Sequence, residues 1–212
     1  VRQGFFITVE GGEGAGKTSA IGAIIEQVVE SGYEVVSTRE PGGIPIAEHI
    51  RAVILDKSHT AMDARTEALL YAAARRQHLT EKVIPALQEG KVVVCDRFID
   101  SSLAYQGYAR GLGMDDVLAV NRFAIEEWMP DLTLYMDVRP EIGLARIRAD
   151  RNREVNRLDL ESMSFHHKVR EGYLKVLDRY PDRIIRLDAE QELNIVLRQL
   201  KQIVNQSLPR RV

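Results

Sequence analysis

Eight residues near the N-terminus, Gly11-Gly12-Glu13-Gly14-Ala15-Gly16-Lys17-Thr18, satisfy the pattern G-x-x-x-x-G-K-[ST] in full. Glycines at this spacing let the backbone curl so that successive N–H groups face one anion-sized nest. The helix expected to follow, opening near Ser19, adds the partial positive charge of its N-terminus. Lys17 then supplies a mobile charge for the β- and γ-phosphates of a nucleotide, and Thr18 offers a hydroxyl to Mg²⁺. The plain alternative is a flexible turn with an incidental lysine. A chance match in a chain this long arises about once in a hundred from average residue frequencies. Nucleotide binding is the expectation, with Gly11, Gly12, Glu13, Gly14, Ala15, Gly16, Lys17, Thr18 and Ser19 as its contacts.

Such a loop alone fits a regulatory GTPase, an ATPase motor or a small-molecule kinase. A GTPase calls for an Asn-Lys-x-Asp guanine motif, which the chain lacks. A motor calls for an apolar strand ending in Asp-Glu, the Glu polarising water. Here Val92-Val93-Val94-Cys95 runs into Asp96-Arg97, and an arginine there suits a second phosphate better than a hydrolytic water. Without the glycine loop, a surface salt bridge would be the reading of that pair. Tyr71 and Arg75 stand four apart, so a helix presents both to one side, as it would Ser102 and Gln106. Taken singly, Tyr71 fits ordinary core and Arg75 a solvated face; only the set argues for a site. His49, His59, His78, His166 and His167 show no metal-ligand spacing and are expected on the surface or in a lid. Cys95, the only cysteine, reads as buried strand filler and allows no intrachain disulfide, which fits a reducing cytoplasm.

Alternating elements must hold these groups together. Phe5–Val9, Glu34–Thr38, Lys91–Cys95, Leu132–Val138 and Arg183–Leu187 read as strands. Ser19–Ser31 carries apolar residues at helical spacing, and Asp63–Gln88 reads as a long helix that Pro85 kinks or ends. Glu141–Arg148, started by Pro140, and Glu192–Val204 are further helices. Apolar strands separated by helices predict a three-layer α/β domain whose parallel sheet is covered on both faces. Ligands bind at the carboxyl ends of the strands in such sheets. The glycine loop and Asp96-Arg97 are both placed there.

Three further segments carry a family resemblance. Asp96-Arg97-Phe98-Ile99-Asp100-Ser101-Ser102-Leu103-Ala104-Tyr105-Gln106-Gly107 resembles the signature segment of bacterial thymidylate kinases, a branch of the P-loop nucleoside-monophosphate kinases. Thr38-Arg39-Glu40-Pro41-Gly42-Gly43 resembles their motif after the second strand, and Arg65–Arg76 the helix that forms their base pocket. The resemblance implies phosphorylation of dTMP to dTDP by ATP and Mg²⁺, in a P-loop kinase fold with a central parallel sheet of about five strands and a mobile lid. It assigns Arg39, Arg51 and Arg97 to the dTMP phosphate and Asp96, with Thr18, to the metal. Tyr71 would lie on the thymine, with Arg75, Ser102 and Gln106 at the base edge and Glu13 facing the sugar 3′-hydroxyl. The family most often has Phe where this chain has Tyr71. Some members carry a catalytic arginine in the P-loop, where this chain has Gly14, so the lid would supply the charge. Arg146, Arg148, Arg151, Arg153 and Arg157 cluster there; Arg151 or Arg153 is the catalytic candidate, beside Lys17 and Arg97, and Arg146 could instead stack on adenine. A solvated helix end is the bland reading of this run. The resemblance also implies a homodimer.

The 212 residues, 45% apolar and 28% charged, fit one domain spanning 1–212, with the lid at about 143–160. A net charge of −2 points to small-molecule partners rather than a nucleic-acid polymer or an anionic membrane. No signal-peptide design or bilayer-length apolar run is visible, and a cytoplasmic protein is expected. Two rivals to dTMP phosphorylation stand: a kinase for dUMP or dCMP, and a nucleotide-dependent switch with no acceptor.

Overall fold

The computed structural model describes residues 3–149 and 157–209. Five parallel strands, β1 (Phe5–Glu10), β2 (Val35–Arg39), β3 (Val92–Asp96), β4 (Leu132–Asp137) and β5 (Ile184–Asp188), form one sheet in the order β2-β3-β1-β4-β5. The α/β expectation holds, and each expected strand is found within a residue or two of its place. Side chains alternate between two covered faces. Phe6, Val93, Cys95 and Tyr135 enter one apolar cluster, whereas Ile7, Val9, Val92, Val94 and Leu134 enter the other. That two-residue period is why the strands read as unbroken apolar runs.

One face is covered by α1 (Lys17–Glu30) and α9 (Leu193–Ser207), which also pack on each other. The other is covered by helices with buried stripes: α3 (Ala64–His78), α6 (Met114–Ile125) and α8 (Met163–Arg179). Helix α2 (Pro45–Leu55) packs outside α3. Helices α2, α6 and α8 are additions to the elements expected from the sequence. The segment expected as one long helix is α3, a π-helical turn at Leu79–Val83, and α4 (Ile84–Gln88). Pro85 therefore does not stop the helix. It lacks the N–H that would bond Glu81, and the wider turn just before it absorbs the mismatch. A second such turn, Leu103–Ala109, follows the short α5 (Ile99–Ser102), and α7 (Pro140–Ala149) begins at the expected proline.

Register sets the site. Asp96 pairs with both Val9 and Arg39 across the sheet. The ends of β1, β2 and β3 thus reach one edge together, delivering the glycine loop, Arg39 and Asp96-Arg97 to the same place. Among the described residues no helix is long and apolar enough to cross a membrane.

Candidate functional site

The loop that leaves β1 enters α1 through Gly16, whose φ of 84° suits a residue without Cβ. Lys17 folds back so that Nζ donates to the carbonyl oxygens of Gly11 (3.2 Å) and Gly12 (3.0 Å). Burial, then the nearby Arg97 charge, lowers its pKa. An ammonium hydrogen-bonded to neutral carbonyls is a cation prepared to meet an anion. Thr18 is exposed at the mouth, as is Ser19. Gly14, at φ 69°, lies flat against α7: a Cβ there would sit 2.0 Å from the Gly143 carbonyl oxygen. A Cβ on Gly143 would in turn sit 2.1 Å from the Glu13 carbonyl oxygen. The two glycines allow the helix leading to the arginine-rich segment to touch the loop backbone directly, leaving no room for an arginine side chain at position 14.

A cleft of about 410 Å³ opens beside this loop. It is lined by Glu13–Thr18, Arg39, Arg51, Tyr71, Arg75, Asp96, Arg97, Gln106 and Arg146, so one cavity gathers almost every residue singled out in the sequence. Gly11, Gly12, Ser19 and Ser102 do not line it. Asp96 has a buried Oδ1 with no hydrogen-bond partner, an arrangement that a bound cation would satisfy. Among the described residues no three His, Cys, Asp or Glu side chains converge on a metal position. A divalent ion would therefore complete its shell with nucleotide oxygens and water.

Arg97 holds a left-handed backbone, φ 67°, rare outside glycine and costly by about 1 kcal/mol or more. Its guanidinium donates to the Gly11 carbonyl (2.7 Å), the Glu13 carboxylate (2.7 Å) and the Tyr173 hydroxyl (3.3 Å). Glu13 also accepts from the Tyr105 hydroxyl at 3.1 Å and is only 8% exposed. It faces the cleft, and an outward orientation is excluded. Arg51 donates to the Pro41 carbonyl (2.9 Å), and Arg39 pairs with Glu48 (2.8 Å). Burial first, and then Arg39, lower the Arg51 pKa. Three guanidinium groups facing one space favour a multiply charged anion between them.

The far wall is built from α3. Arg75 is 1% exposed and lies over the Phe98 ring. It donates to Glu40 (2.7 Å), Ser102 (3.0 Å), the Phe98 carbonyl (2.9 Å) and Asn121. Ser102 therefore holds Arg75 rather than lining the cleft. Gln106 does line it, with its amide donating to Glu67 (2.8 Å). Glu67 also receives Arg110 and Arg157. Burial would raise its pKa, but these donors outweigh burial and lower it. Tyr71 borders the cleft, and burial, then Glu67, push its hydroxyl pKa well up.

The expectation for two histidines needs correction. His78 is fully buried, with Nδ1 2.9 Å from Glu40 and Nε2 2.7 Å from the Thr38 hydroxyl. His166 is 5% exposed, with an Nε2 that has no partner. Neither is a surface residue. Arg157, placed in the lid, is pinned by Glu67 and the Ile54 carbonyl (2.8 Å). Arg146 donates to the Ala189 carbonyl (3.0 Å) and approaches the Gly14 carbonyl at 3.5 Å. Arg151 and Arg153 lie outside the described residues. Glu40, Glu67, Asn121 and Tyr105 were missed as individual site residues. A signal for Glu67 existed: Glu67, Tyr71, Arg75 and His78 follow helical spacing along one face of an alanine-rich segment.

Comparison with known proteins agrees with this geometry. The family model described as thymidylate kinase matches residues 9–200. A thymidylate kinase of Halalkalibacterium halodurans is 62% identical over 206 residues, covering 97% of this chain and 98% of that protein. One from Clostridium novyi is 61% identical over 201 residues, covering 95% and 98%. One from Anoxybacillus flavithermus is 64% identical over 191 residues, covering 90% and 91%.

Proposed function

The chain belongs to the thymidylate kinase family and phosphorylates dTMP to dTDP with ATP, a step in dTTP synthesis; from that premise we propose how its cleft divides the work. The observation carrying the proposal is the single cavity that joins the phosphate loop to the arginines and to the buried polar wall of α3. The loop N–H groups, Lys17 and Arg146 take ATP. Arg39, Arg51 and Arg97 take the acceptor phosphate, Tyr71 covers the base, and Arg75 and Gln106 meet its edge. Glu13, already inside the cleft, meets the sugar hydroxyl.

Phosphoryl transfer demands alignment and charge compensation rather than covalent chemistry. The acceptor phosphate is anionic at neutral pH, so no general base is required. Thr18 and Asp96 would hold Mg²⁺, which when bound would neutralise phosphate charge. Because Gly14 carries no side chain and α7 lies on it, the remaining positive charge comes from the segment following α7, through Arg151 or Arg153. Residues 1–212 act as one kinase domain with the lid at about 143–160.

We also assign a homodimer. Phe123 is 91% exposed on α6, beside exposed Val120, with Leu69 exposed on the neighbouring α3, an apolar face that a second copy would cover. In sedimentation the parent chain is expected as a dimer and Phe123→Glu as a monomer. A monomeric parent chain refutes the assignment. A cytoplasmic location accords with the lone buried Cys95.

The test of the site is a coupled assay with ATP, Mg²⁺ and each pyrimidine monophosphate. Arg75 is donor-only, so the C4 carbonyl of thymine suits it and the amino group of cytosine does not. The expected order of kcat/KM is dTMP, then dUMP, then dCMP, the methyl accounting for about 10–200-fold. A parent enzyme that prefers dCMP overturns the assignment of the base pocket. Turnover independent of any monophosphate overturns the assignment of the acceptor arginines.

A further inference from the structure

We infer that His78 and Thr38 are positioning residues for base selection, acting through Glu40 on Arg75; the inference rests on the reading that Arg75 meets the base edge. A guanidinium has five N–H donors in a fixed plane. In Arg75 four are committed: Nε to Glu40, Nη1 to Ser102 and Asn121, and one Nη2 hydrogen to the Phe98 carbonyl. One Nη2 hydrogen remains, on a side chain that borders the cleft. Selectivity between a carbonyl and an amino group depends on where that single hydrogen points. Its direction depends on the plane of the guanidinium, which the Glu40 carboxylate fixes at Nε.

Glu40 is itself fixed from behind. One carboxylate oxygen takes Arg75 at 2.7 Å and the other takes Nδ1 of His78 at 2.9 Å. All three side chains are at most 2% exposed. A carboxylate only accepts, so Nδ1 carries a proton, and in the neutral ring Nε2 then accepts from the Thr38 hydroxyl at 2.7 Å. The row Thr38–His78–Glu40–Arg75 thus runs from β2 across α3 to the cleft with each link defined. It also touches the phosphate end. A Cβ on Gly43 would meet the Thr38 hydroxyl at 2.5 Å and the His78 ring at 3.1 Å. The Gly43 amide in turn holds Glu48, the partner of Arg39.

The experiment compares four variants using dTMP and dCMP as acceptors. Arg75→Lys keeps the charge beside Glu40 but loses the planar fork, and should erase most of the preference for dTMP. His78→Leu should lower the ratio of kcat/KM for dTMP over dCMP about tenfold, through a raised KM for dTMP. Its KM for ATP should stay within about twofold of the parent. His78→Asn, whose amide nitrogen can replace Nδ1, should recover most of the loss, and Thr38→Val should show a smaller loss in the same direction. A parental ratio in folded His78→Leu, alongside a lost ratio in Arg75→Lys, overturns the inference. A parental ratio in Arg75→Lys instead overturns the placement of Arg75 at the base edge. A direct measurement on the unmodified protein needs no variant to fold: ¹⁵N NMR of the His78 ring should find its proton on Nδ1. A proton on Nε2 alone breaks the row.

Discussion

The two ends of the cleft hold their cations in opposite ways. At the proposed donor end Lys17 and Arg146 rest on backbone carbonyl oxygens. At the base end Arg75 is tied to Glu40, and Arg110 and Arg157 to Glu67. A charge held by a neutral dipole gains when a phosphate arrives; a charge already paired with a buried carboxylate has nothing to gain by moving. The donor end is therefore built for charge compensation during transfer, and the base end for fixed recognition. Arg97 stands between, sharing its guanidinium between the Gly11 carbonyl and Glu13.

The largest test of this contrast is Lys17→Met. It removes the ammonium that meets the transferring group, so kcat should fall at least about a hundredfold, roughly 3 kcal/mol. Because Lys17 bonds only loop carbonyls, thermal stability should change little. Near-parental turnover would sink the assignment of the loop. The equivalent loss at the base end behaves differently. Arg75→Ala leaves the Glu40 charge buried, and a fold cost of about 3–5 kcal/mol is expected, which is why Arg75→Lys is the informative variant there.

A buried carboxylate at the end of β1 sharpens the comparison. Glu10 closes β1 and accepts from the Phe98 amide (2.7 Å) and the hydroxyls of Ser101 and Tyr173. Whereas Glu67 is held low by the Gln106 amide and then by guanidinium donors, burial and then Asp100 raise Glu10 from 4.5 to about 7. A raised folded-state pKa means that the folded protein holds a proton the unfolded chain has released. Its stabilising contribution is complete below pH 4.5 and is lost as pH rises through about 7. Relative to Glu10→Gln, the parent should lose up to about 3 kcal/mol of unfolding free energy across that window. Denaturant titrations of both proteins at intervals from pH 5 to 8 measure it, and parallel profiles would refute it.

Smaller again is the effect expected at the contact between loop and α7. Gly143→Ala places a Cβ 2.1 Å from the Glu13 carbonyl oxygen, so α7 must move off the loop, taking Arg146 and the start of the lid with it. A misplacement of this kind should cost about ten- to a hundredfold in kcat and leave KM for dTMP nearly unchanged. A raised KM for dTMP with parental kcat would mean that α7 serves the acceptor end instead.

The two ends also differed in how well the sequence announced them. The glycine loop is a local motif of consecutive backbone groups, so the placement of Lys17 and Thr18 at the cleft is legible from spacing alone. Asp96 and Arg97 were legible because a parallel sheet places strand ends at one edge. The base wall was harder. Arg75 was identified, but its pairing with Glu40 joins residues 35 apart, and that of Glu67 with Arg157 joins residues 90 apart. No local pattern encodes such distances. His78 was misread as exposed because a lone histidine on a helix carries no sign of the carboxylate that it will meet. Spacing brings Ser102 to the right neighbourhood but does not show that it accepts from Arg75, since spacing fixes a face of a helix and not the partner found there.

The finest test concerns Tyr71 and what its hydroxyl adds beyond the ring of a phenylalanine. Its ring borders the cleft, and burial together with Glu67 keeps the hydroxyl protonated far above neutral pH. The ring is what stacking requires, since either side chain offers the same π-face to a base. The hydroxyl could matter only by hydrogen-bonding to substrate, a contribution of about 1 kcal/mol between neutral partners. If the base end is a fixed wall already satisfied by Glu40, Glu67 and Gln106, that hydroxyl adds little. Tyr71→Phe should then change kcat/KM for dTMP by less than about threefold and leave the dTMP-over-dCMP ratio intact. Tyr71→Ala should raise KM for dTMP tenfold or more, by about 1–3 kcal/mol of lost stacking. Should Tyr71→Phe prove as damaging as Tyr71→Ala, the hydroxyl would be reading the substrate, and the base end would be less rigidly paired than the contrast with the donor end requires.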